Sequence, residues 1–77
     1  MSLTLFSTDG CHLCEQAWQL FEQTGLDANA EIKDIIDNEQ WLEAYRIRIP
    51  VVQRADGAEL DWPFTADQLI AFNQENS

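Results

Sequence analysis

The sequence predicts an α/β domain, a mixed four-stranded sheet carrying helices on both faces in the order β-α-β-α-β-β-α. Three observations predict it. Short apolar runs of strand character alternate with segments of helical periodicity along the first two thirds of the chain. The leading strand–helix–strand unit implies two parallel strands joined by a right-handed crossover. Near the C-terminal third, Asp56-Gly57 followed by Glu59-Leu60-Asp61 implies a hairpin, and hence an antiparallel pair.

The elements follow in order. Leu3-Thr4-Leu5-Phe6 reads as a buried strand, and Ser7-Thr8-Asp9-Gly10 as a polar loop that delivers the chain onto Cys11. At ~100° per residue, Leu13, Cys14, Ala17, Trp18, Leu20 and Phe21 share one side of the next segment, with Glu15, Gln16, Gln19, Glu22 and Gln23 opposite. Gly25 is placed as its left-handed stop, and Leu26 as the apolar contact that follows. Residues 31–36 read as the second strand. Asp37 and Gln40 then fit a capping box, with Ile36 and Trp41 as the hydrophobic staple, for a short helix running to about Tyr45. A third strand over 49–54 opens at Pro50, a position where no ladder donor is lost inside the strand. After the Asp56-Gly57 turn and strand 59–61, Thr65 and Gln68 form a second capping box, stapled by Phe64 and Leu69. The last helix is predicted over 66–74, with Pro63 trans before it.

The 77 residues are read as one domain, 1–77, without repeats, low-complexity tracts or linkers. An apolar fraction of 45% is ordinary, so disorder is not the default. No run of about 18 apolar residues exists, and Met1 to Leu5 carries neither a basic nor a long apolar leader region. A cytoplasmic location is therefore expected. Asp and Glu outnumber Lys and Arg 14 to 4, for a formal charge of −10. Nucleic acid and anionic membranes are poor partners for such a chain, because phosphate binding needs clustered Lys and Arg. The acidity has two readings: it only keeps the protein soluble, or it favours basic partner proteins by electrostatic steering. A monomer is expected.

Both cysteines lie in one unit, Cys11-His12-Leu13-Cys14. A stapled secreted miniprotein would spread more cysteines along its chain. Cys11 instead follows a strand and a glycine at the mouth of a helix, where unpaired N–H groups and the helix dipole favour thiolate over thiol. Cys14 lies three positions on, within disulfide reach and on the apolar side of the helix. Exposure then assigns the roles: Cys11 attacks a substrate disulfide and Cys14 resolves the mixed disulfide. His12 points toward the polar side. As a cation it would tune the Cys11 thiolate, although its reference pKa of about 6.5 leaves it mostly neutral at pH 7. Asp9 and Glu15 oppose the helix effect, because anions raise a thiol pKa. A closed zinc site needs four ligands, and two cysteines with one histidine cannot complete it within one chain, so no metal is expected. A cluster shared between two chains is the metal-holding alternative.

Taken together, the Cys-x-x-Cys unit in the first βα turn and Ile49-Pro50 opening the third strand resemble the glutaredoxin-like family of the thioredoxin superfamily. Arg46-Ile47-Arg48-Ile49-Pro50-Val51 and Trp62-Pro63-Phe64 resemble small bacterial glutaredoxin-like proteins in particular. The resemblance implies sheet order 4-3-1-2 with strand 3 antiparallel. It also implies a cis-proline at Pro50 facing the cysteines, with the backbone of Ile49 free to bond an extended substrate. The implied activity is that of a thiol–disulfide oxidoreductase with a redox-active disulfide, serving cell redox homeostasis. Its substrate is a disulfide-bearing protein or small molecule, and its electrons come from glutathione or a thioredoxin reductase-like donor. No cofactor beyond the disulfide is implied. Glutathione-using relatives carry a Gly-Gly-x-Asp pattern where this chain has Phe64-Thr65-Ala66-Asp67. Asp67 fits, both glycines are replaced, and Phe64 is expected to hinder close backbone approach, so weak glutathione binding is expected. Arg46 or Arg48 would either hold a glutathione carboxylate or stand as solvated surface arginines, and Trp62 would form either a substrate wall or packing under the hairpin. The alternative from another functional class is a redox-inert, redox-sensing or cluster-holding module that uses the same fold to dock a protein.

Overall fold

The computed structural model describes residues 3–75. Met1 and Ser2, the start of the stretch read for a leader, lie outside them. The chain forms β1 (Leu3–Ser7), α1 (His12–Thr24), β2 (Ala30–Asp34), α2 (Glu39–Tyr45), β3 (Val51–Arg54), β4 (Glu59–Asp61) and α3 (Ala66–Gln74). The four strands form one sheet in the order β2-β1-β3-β4. β1 pairs parallel with β2 and antiparallel with β3, and β3 pairs antiparallel with β4. This is the topology that the sequence resemblance implies.

Strand periodicity divides the core between the two faces of the sheet. Leu3 and Leu5 of β1 and Val52 of β3 meet Ala17 and Phe21 of α1 and Leu69 and Phe72 of α3. On the other face Phe6 and Val51 meet Ile35 and Tyr45, with Trp41 and Ile49 packed against them. The Phe6 and Tyr45 rings stack with centroids 4.3 Å apart. α1 and α3 thus cover one face and α2 the other. No described helix is long and apolar enough to cross a membrane.

Local chemistry sets the boundaries. Gly25 ends α1 in the left-handed region, φ 74°, and its N–H donates back to carbonyls of the last turn. Thr65 and Gln68 form both bonds of the expected capping box, at 3.1 and 2.9 Å. Phe64 and Leu69, the expected staple, are both buried in the α1/α3 cluster.

Other boundaries differ from the sequence reading. β2 ends at Asp34, whose Oδ1 accepts the Ile36 N–H and starts a 3-10 turn over Ile35–Asp37. That turn carries Ile35 inward and leaves Ile36 64% exposed, so Ile36 and Trp41 form no staple. It also consumes Asp37 and moves the cap one residue on, so that Asn38 Oδ1 accepts from Gln40 and Trp41. Leu13, read on the apolar side of α1, is 46% exposed, because the first turn of the helix contributes no residue to either core cluster. Pro50 is buried just before β3 rather than within it. The Ile49–Pro50 and Trp62–Pro63 bonds are both cis, the second where a trans bond is expected from sequence. The trans form of an X-Pro bond is favoured by only ~0.5–1 kcal/mol, so packing readily decides the isomer. Here Trp62 packs edge-on against buried Phe64, centroids 5.1 Å apart.

One polar network spans the elements that flank the second core cluster. Tyr45 Oη donates to Glu59 Oε2 at 2.6 Å, and Arg48 Nη2 donates to Glu59 at 2.9 Å and to Asp61 at 2.7 Å. Burial first, then the hydrogen bond to Glu59 and its charge, push the Tyr45 hydroxyl up from 10.0 to about 12. The raised value favours the folded state below pH 10, and that contribution is lost as pH climbs toward 12. Glu59 is held below its ordinary value by the bonds from Tyr45 and Arg48, so its contribution is present at neutral pH and lost on acidification. Tyr45 is the single tyrosine of the chain, so tyrosinate absorbance reports on it alone. Native protein should show a midpoint near 12 and denatured protein one near 10. A native midpoint equal to the denatured one would refute this assignment.

Candidate active site

β1 delivers the chain to a tight turn at one end of the sheet. Cys11 N–H donates to Thr8 O at 3.3 Å, and Gly10, φ 77°, occupies the turn position that favours glycine. Cys11 is the N-cap of α1, in extended conformation, and its Sγ accepts the Cys14 N–H at 3.2 Å. The two cysteines form a disulfide across a Cα–Cα distance of 5.2 Å. Cys11 is half-buried at the helix mouth, whereas Cys14 is only 3% exposed. In the reduced protein the same backbone N–H would stabilise a thiolate on Cys11, as hydrogen bonds to an anion lower its pKa.

His12 stands in solvent, its side chain 85% exposed, with Nδ1 3.5 Å from Glu15 Oε2. Its carboxylate neighbour is therefore Glu15. The register Phe6↔Val51 sets Ile49 and Pro50 beside the C-terminal end of β1, the end from which Cys11 emerges. The fold thus brings the Ile49–Pro50 bond and the disulfide to the same end of the sheet. The Ile49 N–H, expected to be free, donates to Tyr45 O at 3.0 Å and fixes the loop after α2.

The residues expected to hold glutathione are arranged less openly. The Arg48 guanidinium is engaged by Glu59 and Asp61 and lies 5.4 Å from the Tyr45 ring centroid. Arg46 is exposed at the end of α2. Asp67 is exposed in the first turn of α3, and the capping box already occupies the Thr65 and Gln68 N–H groups there. Phe64 turns its ring into the core, so what replaces the glycines is this closed cap rather than an obstructing ring. Trp62 packs against the same core cluster. Among the described residues, no three His, Cys, Asp or Glu side chains converge to hold a metal.

A further feature was not anticipated from the sequence. A groove of about 360 Å³ runs along α1 from the disulfide, between the helix and the β1/β2 pair. Leu5, Trp18 and Ile32 supply apolar lining, and Asp9, Glu15 and Glu22 supply carboxylates. Ile32 pairs with Leu5 across the ladder and so faces α1, yet stays 49% exposed. The alternation of Ala30 and Ile32 was the available signal, once the strand start is placed at Ala30.

A family model described as a glutaredoxin-like domain matches residues 2–72. The X-ray structure of Northeast Structural Genomics target protein XcR50 from X. campestris is 38% identical, with TM-score 0.86 over 96% of this chain and 97% of that one. Its solution structure gives 41% identity and TM-score 0.82, over 97% and 95% of the two chains. Thioredoxin 1 from Thermosipho africanus, at 18% identity and TM-score 0.70 over 99% of this chain and 93% of that one, shares the fold. No curated relative matches.

Proposed function

The chain belongs to the glutaredoxin-like domain family, and from that premise we propose that it is a dithiol–disulfide oxidoreductase. The observation that carries this reading is the asymmetry of the disulfide, with Cys11 accessible as the N-cap of α1 and Cys14 buried behind it. The Cys11 thiolate attacks one sulfur of a substrate disulfide, forms a mixed disulfide and expels the other sulfur as a thiolate. Cys14, deprotonated, then attacks the Cys11 sulfur, which closes Cys11–Cys14 and releases the second substrate thiolate. Two electrons pass to the substrate, and the released thiolates take up protons from solvent. A thiol or dithiol donor must then reduce Cys11–Cys14.

The Ile49 carbonyl, beside Pro50, is the backbone group offered to an extended substrate. A reducing compartment such as the cytoplasm suits this cycle. The reading is tested by disulfide reductase assays run in parallel with glutathione and with thioredoxin reductase as donor. Turnover with either supports it, and an inert dithiol with both refutes it.

Glutathione itself should bind weakly. The closed Thr65/Gln68 cap, the engaged Arg48 and the formal charge of −10 all disfavour an anionic tripeptide. Arg46, Asp67 and the Ile49 carbonyl favour it. The balance should be a dissociation constant in the millimolar range, worth only ~4 kcal/mol. Titration of a Cys14→Ser variant with a non-reactive glutathione analogue checks this. Micromolar affinity would overturn it.

A further inference from the structure

The geometry points to the groove along α1 as the docking site for a basic segment of a polypeptide substrate, next to the disulfide being reduced. This deepens the oxidoreductase reading and rests on it. The groove begins at Cys11 and Cys14 and is lined farther on by Glu15, Trp18, Gln19 and Glu22. Those four positions share one stripe of the helix, since side chains three and four apart are neighbours. From Glu15 to Glu22 the stripe is about 10 Å long at 1.5 Å per residue. That length accommodates roughly three residues of extended chain, at about 3.3 Å each.

Its chemistry selects the occupant. The walls combine exposed Ile32 and half-buried Trp18 with the carboxylates of Asp9, Glu15 and Glu22, and no Lys or Arg lines it. The cations of this chain are held elsewhere. Lys33 lies 5.4 Å from the Trp41 ring on the other face of the sheet, Arg48 pairs with Glu59 and Asp61, and Arg54 pairs with Asp56 and Glu75. Arg46 closes α2 on that other face as well. Among the described residues only His12 approaches a groove carboxylate, 3.5 Å from Glu15. An incoming Lys or Arg therefore meets carboxylates that no Lys or Arg of the described residues offsets, and its aliphatic stem can lie on Ile32 and Trp18. An acidic segment meets repulsion. A small disulfide without flanking chain uses the sulfurs alone.

The test needs no electron donor. Reduced protein is mixed with three disulfide substrates: a peptide with Lys and Arg flanking its cysteines, one of equal length with Glu and Asp, and a small neutral disulfide. The expected result is faster exchange with the basic peptide than with the acidic one. That ratio should fall with added salt, and by about fivefold in the Glu15→Gln/Glu22→Gln variant, as expected for two exposed ion pairs. In parallel, NMR follows the oxidised protein titrated with the basic peptide carrying serine for cysteine. Shifts at Ile32 and at the Trp18 indole are expected. Equal rates for the two peptides, or a ratio unchanged in the variant, would overturn the groove assignment, while exchange with the neutral disulfide would leave the oxidoreductase reading standing. No exchange with any substrate would refute that reading instead, and absence of shifts at Ile32 and Trp18 would then overturn the groove as well.

Discussion

Cys14→Ser protein mixed with a peptide disulfide should stop as a mixed disulfide on Cys11, whereas Cys11→Ser protein should not react. The expectation follows from where the two sulfurs lie. Cys11 is the N-cap of α1, and the Cys14 N–H already points at its sulfur from 3.2 Å. An ordinary thiol with pKa about 8.5 is only a few per cent thiolate at neutral pH, so a fall of one unit raises the reactive fraction by nearly tenfold. Asp9 and Glu15 work against that fall, but a backbone N–H acts at contact distance and exposed carboxylates do not. Cys14, at 3% exposure, has little solvent contact to hold its charge. Alkylation followed against pH in each single variant should therefore show Cys11 labelling about tenfold faster near neutrality. Faster labelling of Cys14 would reverse the roles. The mass of the trapped species identifies the sulfur that carries the substrate.

The largest loss of stability is expected from Phe21→Ala. Phe21 is fully buried, stacks on Trp18 at 5.3 Å, and sits among Leu3, Leu5, Val52, Leu69 and Phe72. Truncating a buried phenylalanine costs about 3–5 kcal/mol through lost transfer energy and the cavity left behind. A chain of 77 residues has, at about 0.05–0.15 kcal/mol per residue, roughly 4–12 kcal/mol to lose. The variant should thus be marginal at 25 °C, which urea unfolding followed by far-UV circular dichroism measures. A loss under about 1 kcal/mol would mean that the α1/α3 face is repacked around the gap.

Much of this fold is legible because local and global signals agree. Gly25, the Asp56-Gly57 hairpin and the Thr65/Gln68 box each have one chemically sensible use, and the structure uses them so, while the α1 wheel holds for Cys14, Ala17 and Phe21 and fails at Leu13. The reading failed where a side chain had two comparable options. Asp34 and Asp37 can both start a turn, and capture of the Ile36 N–H by Asp34 shifts the strand end, the cap and the staple together. Pro63 gave no warning, since the isomers of an X-Pro bond differ too little in energy for sequence to choose. At the candidate site the two cysteines are legible from spacing and context. The engagement of Arg48 is not, because Glu59 and Asp61 lie more than ten positions away and reach it only through the hairpin. The groove escaped for a similar reason, since it needs the register that sets Ile32 beside Leu5.

The two outer strands of the sheet have a consequence for how the protein behaves when crowded. Among the described residues each has one edge that no other strand pairs, the kind of ladder on which a second chain can add and start a fibril. β2 offers Ala30–Asp34, with Glu31, Lys33 and Asp34 along it, and β4 offers only three residues, two of them Glu59 and Asp61. Charged side chains and short length are the features by which sheet edges discourage such addition. An approaching copy brings the same carboxylates, so edge-to-edge joining here means forcing like charges together. Protonating them removes that repulsion. The acidic composition therefore also acts as a guard on the rims of the sheet, strongest at neutral pH and weakest in acid.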